Sequence, residues 1–182
     1  MIFKKQNTTT ENDFKKLLKF WYNNEDKIIT VKKSQYSQFP ITVHQLDITN
    51  EIENFNLSFS FPKKEYAVCY LQYTDILYGD QEGDKNFHIH TPNWNYVQYY
   101  NDNFDGGEIE FENGLIHKPK KGDCLLFTGD EGHKVLNHKN FYHETIAVDG
   151  KEVLLNRRWV VVGHIKNEEL FHKLYKSKKN LI

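Results

Sequence analysis

Hydrophobic and polar positions follow two different periods along this chain. Near the N-terminus the apolar residues recur at helical spacing, at Phe14, Leu17, Leu18, Trp21 and Tyr22. Thr10 precedes them as a candidate N-cap, and acidic residues occupy the first turn. Because residues at i, i+3, i+4 and i+7 lie on one face of a helix, the pattern predicts an amphipathic N-terminal helix.

From Lys27 to about Gly163 the pattern changes to short runs rich in Val, Ile, Phe and Tyr, separated by Gly, Asn and Asp. Such runs are typical of β-strands. The predicted strands are IITVKK, ITVHQLDI, FNLSFSF, EYAVCYLQY, FHIH, YVQYYN, EIEFE, CLLFTG, ETIAV and RRWVVVGHI. Many short strands with little helical period predict a mainly β fold, either a sandwich or a closed jelly roll.

The end of the chain returns to a helical pattern. Leu170, Phe171, Leu174 and Tyr175 predict a short C-terminal helix, which a basic tail follows. A chain of 182 residues has the usual size of one domain, so we expect a single domain over residues 1–182.

Composition narrows the classes of partner. Lys and Arg number 24 against 25 Asp and Glu, a net charge of -1, so nothing in the overall charge calls for nucleic acid or an anionic membrane. No apolar run approaches the roughly 20 residues that span a bilayer, and the start MIFKKQNTTT lacks a secretory signal. We therefore expect a cytoplasmic protein. Cys69 and Cys124 each lie in an apolar run and are predicted to be buried thiols.

Two of the nine histidines stand in a pattern that favours metal binding. His88 and His90 lie in FHIH, and residues i and i+2 of a strand point to the same face, so the two imidazoles can share a metal ion. The remaining isolated histidines are predicted to be structural or surface residues: His44, His117, His138, His164 and His172.

After FHIH the chain contains YVQYYNDNFDGGEIEF, IHKPKKGDCLLFTGD, YHETIAV and NRRWVVVGHI, in that order. In order and character these segments resemble the catalytic core of prolyl-hydroxylase-like 2-oxoglutarate oxygenases, over about residues 85–166. The matching positions are Asn101, Asp102, Gly106, Gly107, Lys118, Pro119, Gly122, Asp123, Phe127, His143, Glu144, Arg158 and Trp159. The glycine pair and KPKKGD are predicted to be turns of the scaffold.

The resemblance implies a double-stranded β-helix, that is, a jelly-roll barrel, with its catalytic core at about residues 65–166. It implies an enzyme that uses Fe(II), 2-oxoglutarate and O2 to hydroxylate a C–H bond. The implied substrate is a peptidyl residue such as proline, a free amino acid or a small metabolite.

The resemblance also assigns roles to individual residues. His88 and His143 correspond to metal ligands, and Arg158 corresponds to the basic residue that binds the distal carboxylate of 2-oxoglutarate. A guanidinium offers a planar, two-pronged match for a carboxylate. Arg157 precedes it and is predicted to face the other way. Tyr99 either contacts the same carboxylate or packs as a strand aromatic.

Two departures from the family pattern leave alternatives open. The family carries His-x-Asp where this chain has His88-Ile89-His90. His90 completes a three-histidine site, or it turns away and leaves a position for water or an anion, or Glu144 reaches the metal instead. The interval from His143 to Arg158 is also longer than usual; DGKEVLLN is predicted to form a hairpin that absorbs the excess, and His133 is the rival to His143 as distal ligand.

Two further functions compete with the oxygenase. One is a cupin-like metalloenzyme that uses three histidines and no oxo-acid. The other is a non-catalytic barrel that binds a ligand or a protein. Arg158 beside Trp159 weighs against the cupin-like enzyme, as does the lack of the glutamate expected shortly after a cupin HxH. The change at His90 keeps the non-catalytic barrel open.

Overall fold

A computed structural model describes residues 1–33, 41–59, 61–75, 86–90, 94–136, 138–141, 144–154 and 157–166. One α-helix, α1, spans Glu11–Tyr22. The strands are β1 (Ile2–Lys5), β2 (Ile29–Lys33), β3 (Ile41–Asp47), β4 (Tyr66–Asp75), β5 (Trp94–Tyr99), β6 (Phe104–Gly106), β7 (Ile109–Phe111), β8 (Ile116–His117), β9 (Cys124–Thr128), β10 (His133–Val135), β11 (His138–Phe141), β12 (Thr145–Val148), β13 (Lys151–Leu154) and β14 (Arg158–Ile165). The predicted C-terminal helix lies outside the described residues.

The strands form one large antiparallel sheet and several small ones. The large sheet has seven strands in the order β1-β9-β5-β14-β4-β3-β2, and a small sheet has the order β10-β7-β8. Two further pairs are β11 with β6 and β12 with β13. Between β4 and β14 the chain passes repeatedly between the large sheet and the smaller ones, which is consistent with a jelly roll.

The central strands of the large sheet, β5, β9 and β14, are buried on both faces. On one face a helix-side core contains Leu18, Trp21, Leu71, Trp159 and Val161 among its buried residues. On the other face a site-side core is formed by Val97, Tyr99, Ile109, Phe111, Leu125, Phe127 and Val160. Successive residues of a strand point to opposite faces, so β5, β9 and β14 each supply residues to both cores.

Helix α1 covers the first of these faces. Thr10 caps it in a capping box with Asp13, in which the Thr10 hydroxyl accepts from the Asp13 N–H and the Asp13 side chain accepts from the Thr10 N–H. The buried stripe of α1 includes Leu18 and Trp21. The Trp21 ring packs edge-on against Trp159 with 5.2 Å between centroids. The predicted helix is therefore present and holds the strand that carries Arg158.

The hairpin predicted at DGKEVLLN is also present. β12 and β13 pair antiparallel, with Val148 opposite Lys151. Asp149 and Gly150 form the two-residue turn, and both have positive φ, 49° and 78°. This is the geometry that a tight hairpin requires. Gly106 and Gly107, predicted to be turn glycines, likewise have φ of 81° and 66°.

One predicted strand is wrong, and another is reduced to a single bridge. FNLSFSF has no strand among its described residues; the Ser58 N–H instead donates to Tyr96 Oη (3.1 Å) and Gln98 Oε1 (2.9 Å). Side chains of β5 thus satisfy a backbone group that a neighbouring strand would otherwise bind. FHIH contributes one antiparallel bridge, between His88 and His133.

Cys69 and Cys124 are free and buried, as predicted. Burial raises the pKa of the Cys124 thiol to about 12, so both side chains act as small hydrophobic groups of the helix-side core. No helix in the described ranges has the length and apolar character needed to cross a bilayer.

Candidate metal centre

Backbone pairing brings His88 and His133 side by side. The His88 N–H donates to the His133 carbonyl (2.9 Å), and the His133 N–H donates to the His88 carbonyl (3.1 Å). Residues paired in this way in an antiparallel ladder have neighbouring side chains on one face. The His90 N–H donates to Gly129 O (2.8 Å), which fixes the second residue of the HxH pair against the loop after β9.

These three histidines form a metal-competent group. Ring centroids are 4.4 Å apart for His88 and His133, 5.0 Å for His88 and His90, and 5.4 Å for His90 and His133. Their possible ligand atoms all lie within 4.8 Å of one another. In a facial set with metal–nitrogen bonds of about 2.1 Å, the nitrogens are about 3 Å apart, so small side-chain rotations suffice to seat one ion.

His133 is oriented by its surroundings. It is 6% exposed, and its ring packs edge-on against Phe127 with 4.8 Å between centroids. Its Nδ1 lies 3.1 Å from the carbonyl oxygen of Glu131. Because a carbonyl oxygen only accepts, the proton is on Nδ1 and the lone pair is on Nε2. This is the usual way in which a protein orients a metal-binding imidazole.

A fourth histidine lies beside this group. The ring of His164, on β14, is 5.0 Å from that of His90. Its Nδ1 lies 2.9 Å from Asn95 Oδ1, across the pairing of β14 with β5. His164 is therefore held next to the metal-competent group by the large sheet.

Arg158 and Tyr99 lie on the site side of the large sheet. The Arg158 side chain is 6% exposed, Tyr99 is fully buried, and Arg158 Nη2 is 3.5 Å from the Tyr99 hydroxyl oxygen. Burial raises the pKa of Tyr99, with Arg158 opposing the rise, so the phenol stays protonated at neutral pH. Among the described residues, Arg158 Nε has no hydrogen-bond partner.

Asn101 fixes the backbone on both sides of Arg158. Its Nδ2 donates to the Arg157 carbonyl (2.5 Å), and its Oδ1 accepts from the Trp159 N–H (2.8 Å). Arg157 lies on the opposite face of the strand, with its guanidinium 4.2 Å from the centroid of the Tyr73 ring. The alternation predicted for the two arginines is therefore correct.

Polar groups continue from Tyr99 towards β8. The His117 ring is 5.8 Å from the Tyr99 ring, and His117 Nε2 is 3.5 Å from Asp123 Oδ2. Lys4 Nζ is 3.1 Å from the same carboxylate oxygen. Burial chiefly, with help from the positive charges of Lys4 and Arg158, lowers the pKa of His117 to about 4, although Asp123 opposes the shift. His117 is therefore neutral at physiological pH.

The predicted site residues meet different outcomes. His88 and His90 lie together, and His133, the rival distal ligand, lies with them. His143 lies outside the described residues. Glu144 is exposed, accepts a hydrogen bond from Asn103, and is not part of the metal-competent group of the described chain.

Two histidines near the site, His117 and His164, were predicted from the sequence to be structural or surface residues, and the structure places them beside Tyr99 and His90 respectively. His164 shares a strand face with Arg158 because the two are six positions apart, a signal that the alternation of RWVVVGHI contains. His117 lies opposite Ile109 in the pairing of β8 with β7, so it faces the site-side core. A two-residue strand carries too little periodicity to predict that placement.

The residues present fit Fe(II) and an oxo-acid. Three imidazoles on one side of an ion leave its other positions open, and imidazole is a good ligand for iron, copper, nickel or zinc. A buried guanidinium with an unsatisfied Nε is suited to a carboxylate, because an uncompensated buried cation is costly.

Comparison with solved structures shows a shared fold. An oxidoreductase of the 2OG-Fe(II) oxygenase family from Burkholderia pseudomallei superposes with a TM-score of 0.58 at 10% identity, over 92% of this chain and 88% of that one. A Pseudomonas putida prolyl-4-hydroxylase gives a TM-score of 0.50 at 11% identity, over 91% of this chain and 92% of that one. No family model and no curated protein matches the sequence. The predicted resemblance is confirmed at the level of the fold.

Proposed function

We propose that this chain is an Fe(II)- and 2-oxoglutarate-dependent oxygenase built on a jelly-roll barrel. In this proposal His88, His90 and His133 hold the iron, and Arg158 with Tyr99 holds the distal carboxylate of 2-oxoglutarate. The observation that supports it most is the group of three histidines beside the site-side core. On the same side of the large sheet lies the buried Arg158, whose Nε has no hydrogen-bond partner among the described residues. Of the two candidates for distal ligand, the contacts of the described residues favour His133.

When bound, iron with 2-oxoglutarate and O2 supplies the oxidation that hydroxylates a C–H bond. The residues of this chain would bind and orient the metal ion and the oxo-acid. His133 presents Nε2 because Glu131 O accepts from its Nδ1, and His88 is held to it by two backbone hydrogen bonds. Arg158 and Tyr99 anchor the far end of the oxo-acid, and the surrounding apolar side chains exclude water from the pocket.

We further propose that the hydroxylated group belongs to a peptidyl residue, such as proline, to a free amino acid or to a small metabolite. The fold of the Pseudomonas putida prolyl-4-hydroxylase supports the peptidyl choice only through architecture. His164 is placed to face a substrate because Asn95 holds it beside His90.

A second candidate is a three-histidine dioxygenase that binds no oxo-acid. The observation in its favour is His90, which replaces the family's carboxylate with a neutral donor and completes an all-imidazole group. Arg158 weighs against it, because its burial beside Tyr99 requires an anion that this function would not supply.

The experiment is anaerobic loading of the protein with Fe(II) followed by 2-oxoglutarate, with the visible metal-to-ligand charge-transfer band as the readout. We expect a band that Arg158→Ala weakens and His90→Ala removes. Arg157→Ala is the matched control, because Arg157 lies on the other face over Tyr73 and should leave the band unchanged. Iron binding without any band would reject the oxo-acid and favour the second candidate.

A further inference from the structure

The buried surroundings of Arg158 and Tyr99 contain a histidine that the proposed function has not used. His117 is 6% exposed, and in the described part of the chain its Nε2 has no hydrogen-bond partner. The nearby Asp123 Oδ2, at 3.5 Å, is at the limit of contact and does not satisfy hydrogen-bond geometry. A buried imidazole with an unsatisfied ring nitrogen is costly, which points to a missing partner.

His117 and Arg158 approach Tyr99 from different sheets. β8 carries His117 on the small sheet, and β14 carries Arg158 on the large sheet. The His117 ring is 5.8 Å from the Tyr99 ring, and Arg158 Nη2 is 3.5 Å from the Tyr99 hydroxyl. Both Arg158 Nε and His117 Nε2 are buried without a hydrogen-bond partner among the described residues. One ligand placed between the two sheets can satisfy both.

The charges of this region select the kind of ligand. Arg158 and Lys4 are positive, Asp123 is negative, and His117 is neutral because its pKa lies near 4. These described charges near His117 therefore leave one positive charge in excess. A single carboxylate balances that excess, whereas a neutral group would leave a buried cation uncompensated.

We propose that His117 is a positioning residue of the carboxylate subsite, donating an N–H to the distal carboxylate of 2-oxoglutarate alongside Arg158 and Tyr99. The inference rests on the proposed function and deepens it. A neutral imidazole donates one hydrogen bond through the nitrogen that carries its proton. Asp123 Oδ2 is also buried without a hydrogen-bond partner among the described residues, and it lies closer to Lys4 Nζ (3.1 Å) than to His117 Nε2 (3.5 Å). In this arrangement Asp123 balances the charge of Lys4 and accepts no hydrogen bond from His117.

The test compares two ligands that differ only at the far end. 2-Oxoglutarate and 2-oxopentanoate share the metal-chelating oxo-acid and the chain length, but only the first has a distal carboxylate. Titration calorimetry on protein loaded with Zn(II), which is redox-inert, gives both dissociation constants. We expect His117→Phe to weaken 2-oxoglutarate binding about tenfold and to leave 2-oxopentanoate binding unchanged. His44→Phe, on the other side of the large sheet, is the control.

Each outcome separates the inference from the proposed function. Wild-type protein that binds 2-oxoglutarate no better than 2-oxopentanoate removes the proposed function, and the inference with it. Equal 2-oxoglutarate affinity in wild type and His117→Phe overturns the inference alone. An equal loss for both ligands also overturns it, because His117 would then act through the fold.

A second measurement uses the wild type alone, so it does not require that His117→Phe folds. In Zn(II)-loaded wild type with 15N-labelled histidine, we expect 2-oxoglutarate to shift the His117 ring N–H resonance and 2-oxopentanoate to leave it in place. A His117 resonance that responds identically to both ligands overturns the inference.

Discussion

In the proposed site, His90 stands where the prolyl-hydroxylase-like enzymes that the sequence resembles carry a carboxylate ligand. Exchange of a carboxylate for a neutral imidazole removes one negative charge from the ligands of a dication, which weakens the electrostatic part of metal binding. All three proposed ligands are then neutral imidazoles. The metal affinity therefore depends on their geometry and on the orientation of His133 by the Glu131 carbonyl.

This residue gives the first prediction. His90→Asp puts one negative charge back among the proposed ligands. We expect it to tighten Fe(II) binding by about tenfold or more, since one unit of charge in contact with the metal contributes at least about 1.4 kcal/mol to the binding free energy. Anaerobic competition with a chromogenic chelator measures the affinity. Ile89→Asp is the control. Ile89 is 56% exposed and is not part of the metal-competent group, so this substitution adds the same charge without adding a ligand. Equal tightening in both variants would contradict a direct ligand role.

His117 gives a prediction for stability against pH. Its pKa is about 4 in the folded chain against about 6.5 when unfolded, so the unfolded chain binds the extra proton between these values. The stability that neutral His117 contributes is therefore complete above about pH 6.5 and is lost as the pH falls towards 4. The difference amounts to at most about 3–4 kcal/mol.

Urea unfolding at several pH values checks this expectation. The unfolding free energy of wild type should fall more steeply than that of His117→Phe between pH 6.5 and 4. Parallel curves for the two proteins over that window would show that His117 titrates normally when folded.

At the scale of elements, the helix and the β14 strand form one unit on the face opposite the site. Trp21 packs against Tyr73 and Trp159, with centroids 5.1 and 5.2 Å away, and Trp159 directly follows Arg158. The helix therefore supports the strand that positions Arg158. Among the described residues, the helix contributes none to the site-side core.

Trp21→Ala should lower the free energy of unfolding by about 3–5 kcal/mol, because it removes a large buried ring and leaves a cavity. Chemical denaturation measures the loss. Tyr22→Ala, which truncates a neighbouring side chain that is 38% exposed, should cost less than about 1 kcal/mol. Similar losses in the two variants would mean that the helix is not packed as described.

The hydrophobic pattern of the sequence predicted a helix or strand where the element was long enough to show its helical or alternating period. The helix from Glu11 and the strand from Arg158 are long and regular. The helix was predicted with its buried residues Phe14, Leu17, Leu18 and Trp21, but Tyr22, predicted on the same face, is 38% exposed. The strand was predicted with its two arginines on opposite faces. FNLSFSF alternates like a strand, but side chains of β5 bind its backbone instead. β10 has three residues, so the sequence could not show that His133 pairs with His88.

At the scale of the whole molecule, the metal-competent group joins parts of the chain that the fold connects weakly. His88 is joined to His133, the first residue of β10, by one isolated bridge, and His164 belongs to the large sheet. A metal ion bound by His88, His90 and His133 would cross-link these segments only in the folded state. Binding confined to the folded state stabilises it in proportion to ligand saturation.

Thermal unfolding should therefore depend on metal. At a free Fe(II) concentration about 100 times the dissociation constant, the folded state gains about 2.7 kcal/mol, and the melting temperature rises. Scanning calorimetry under anaerobic conditions, with and without a chelator, measures the shift. His133→Ala should abolish it, whereas His44→Ala should retain it. An undiminished shift in His133→Ala would place the metal elsewhere.

The most direct test is a crystal structure of the protein with Fe(II) and 2-oxoglutarate, grown without oxygen and phased at the iron absorption edge. We expect one anomalous peak bound by His88, His90 and His133, with the distal carboxylate of 2-oxoglutarate at Arg158 and Tyr99. An iron peak away from these histidines, or 2-oxoglutarate without a contact to Arg158, would contradict it.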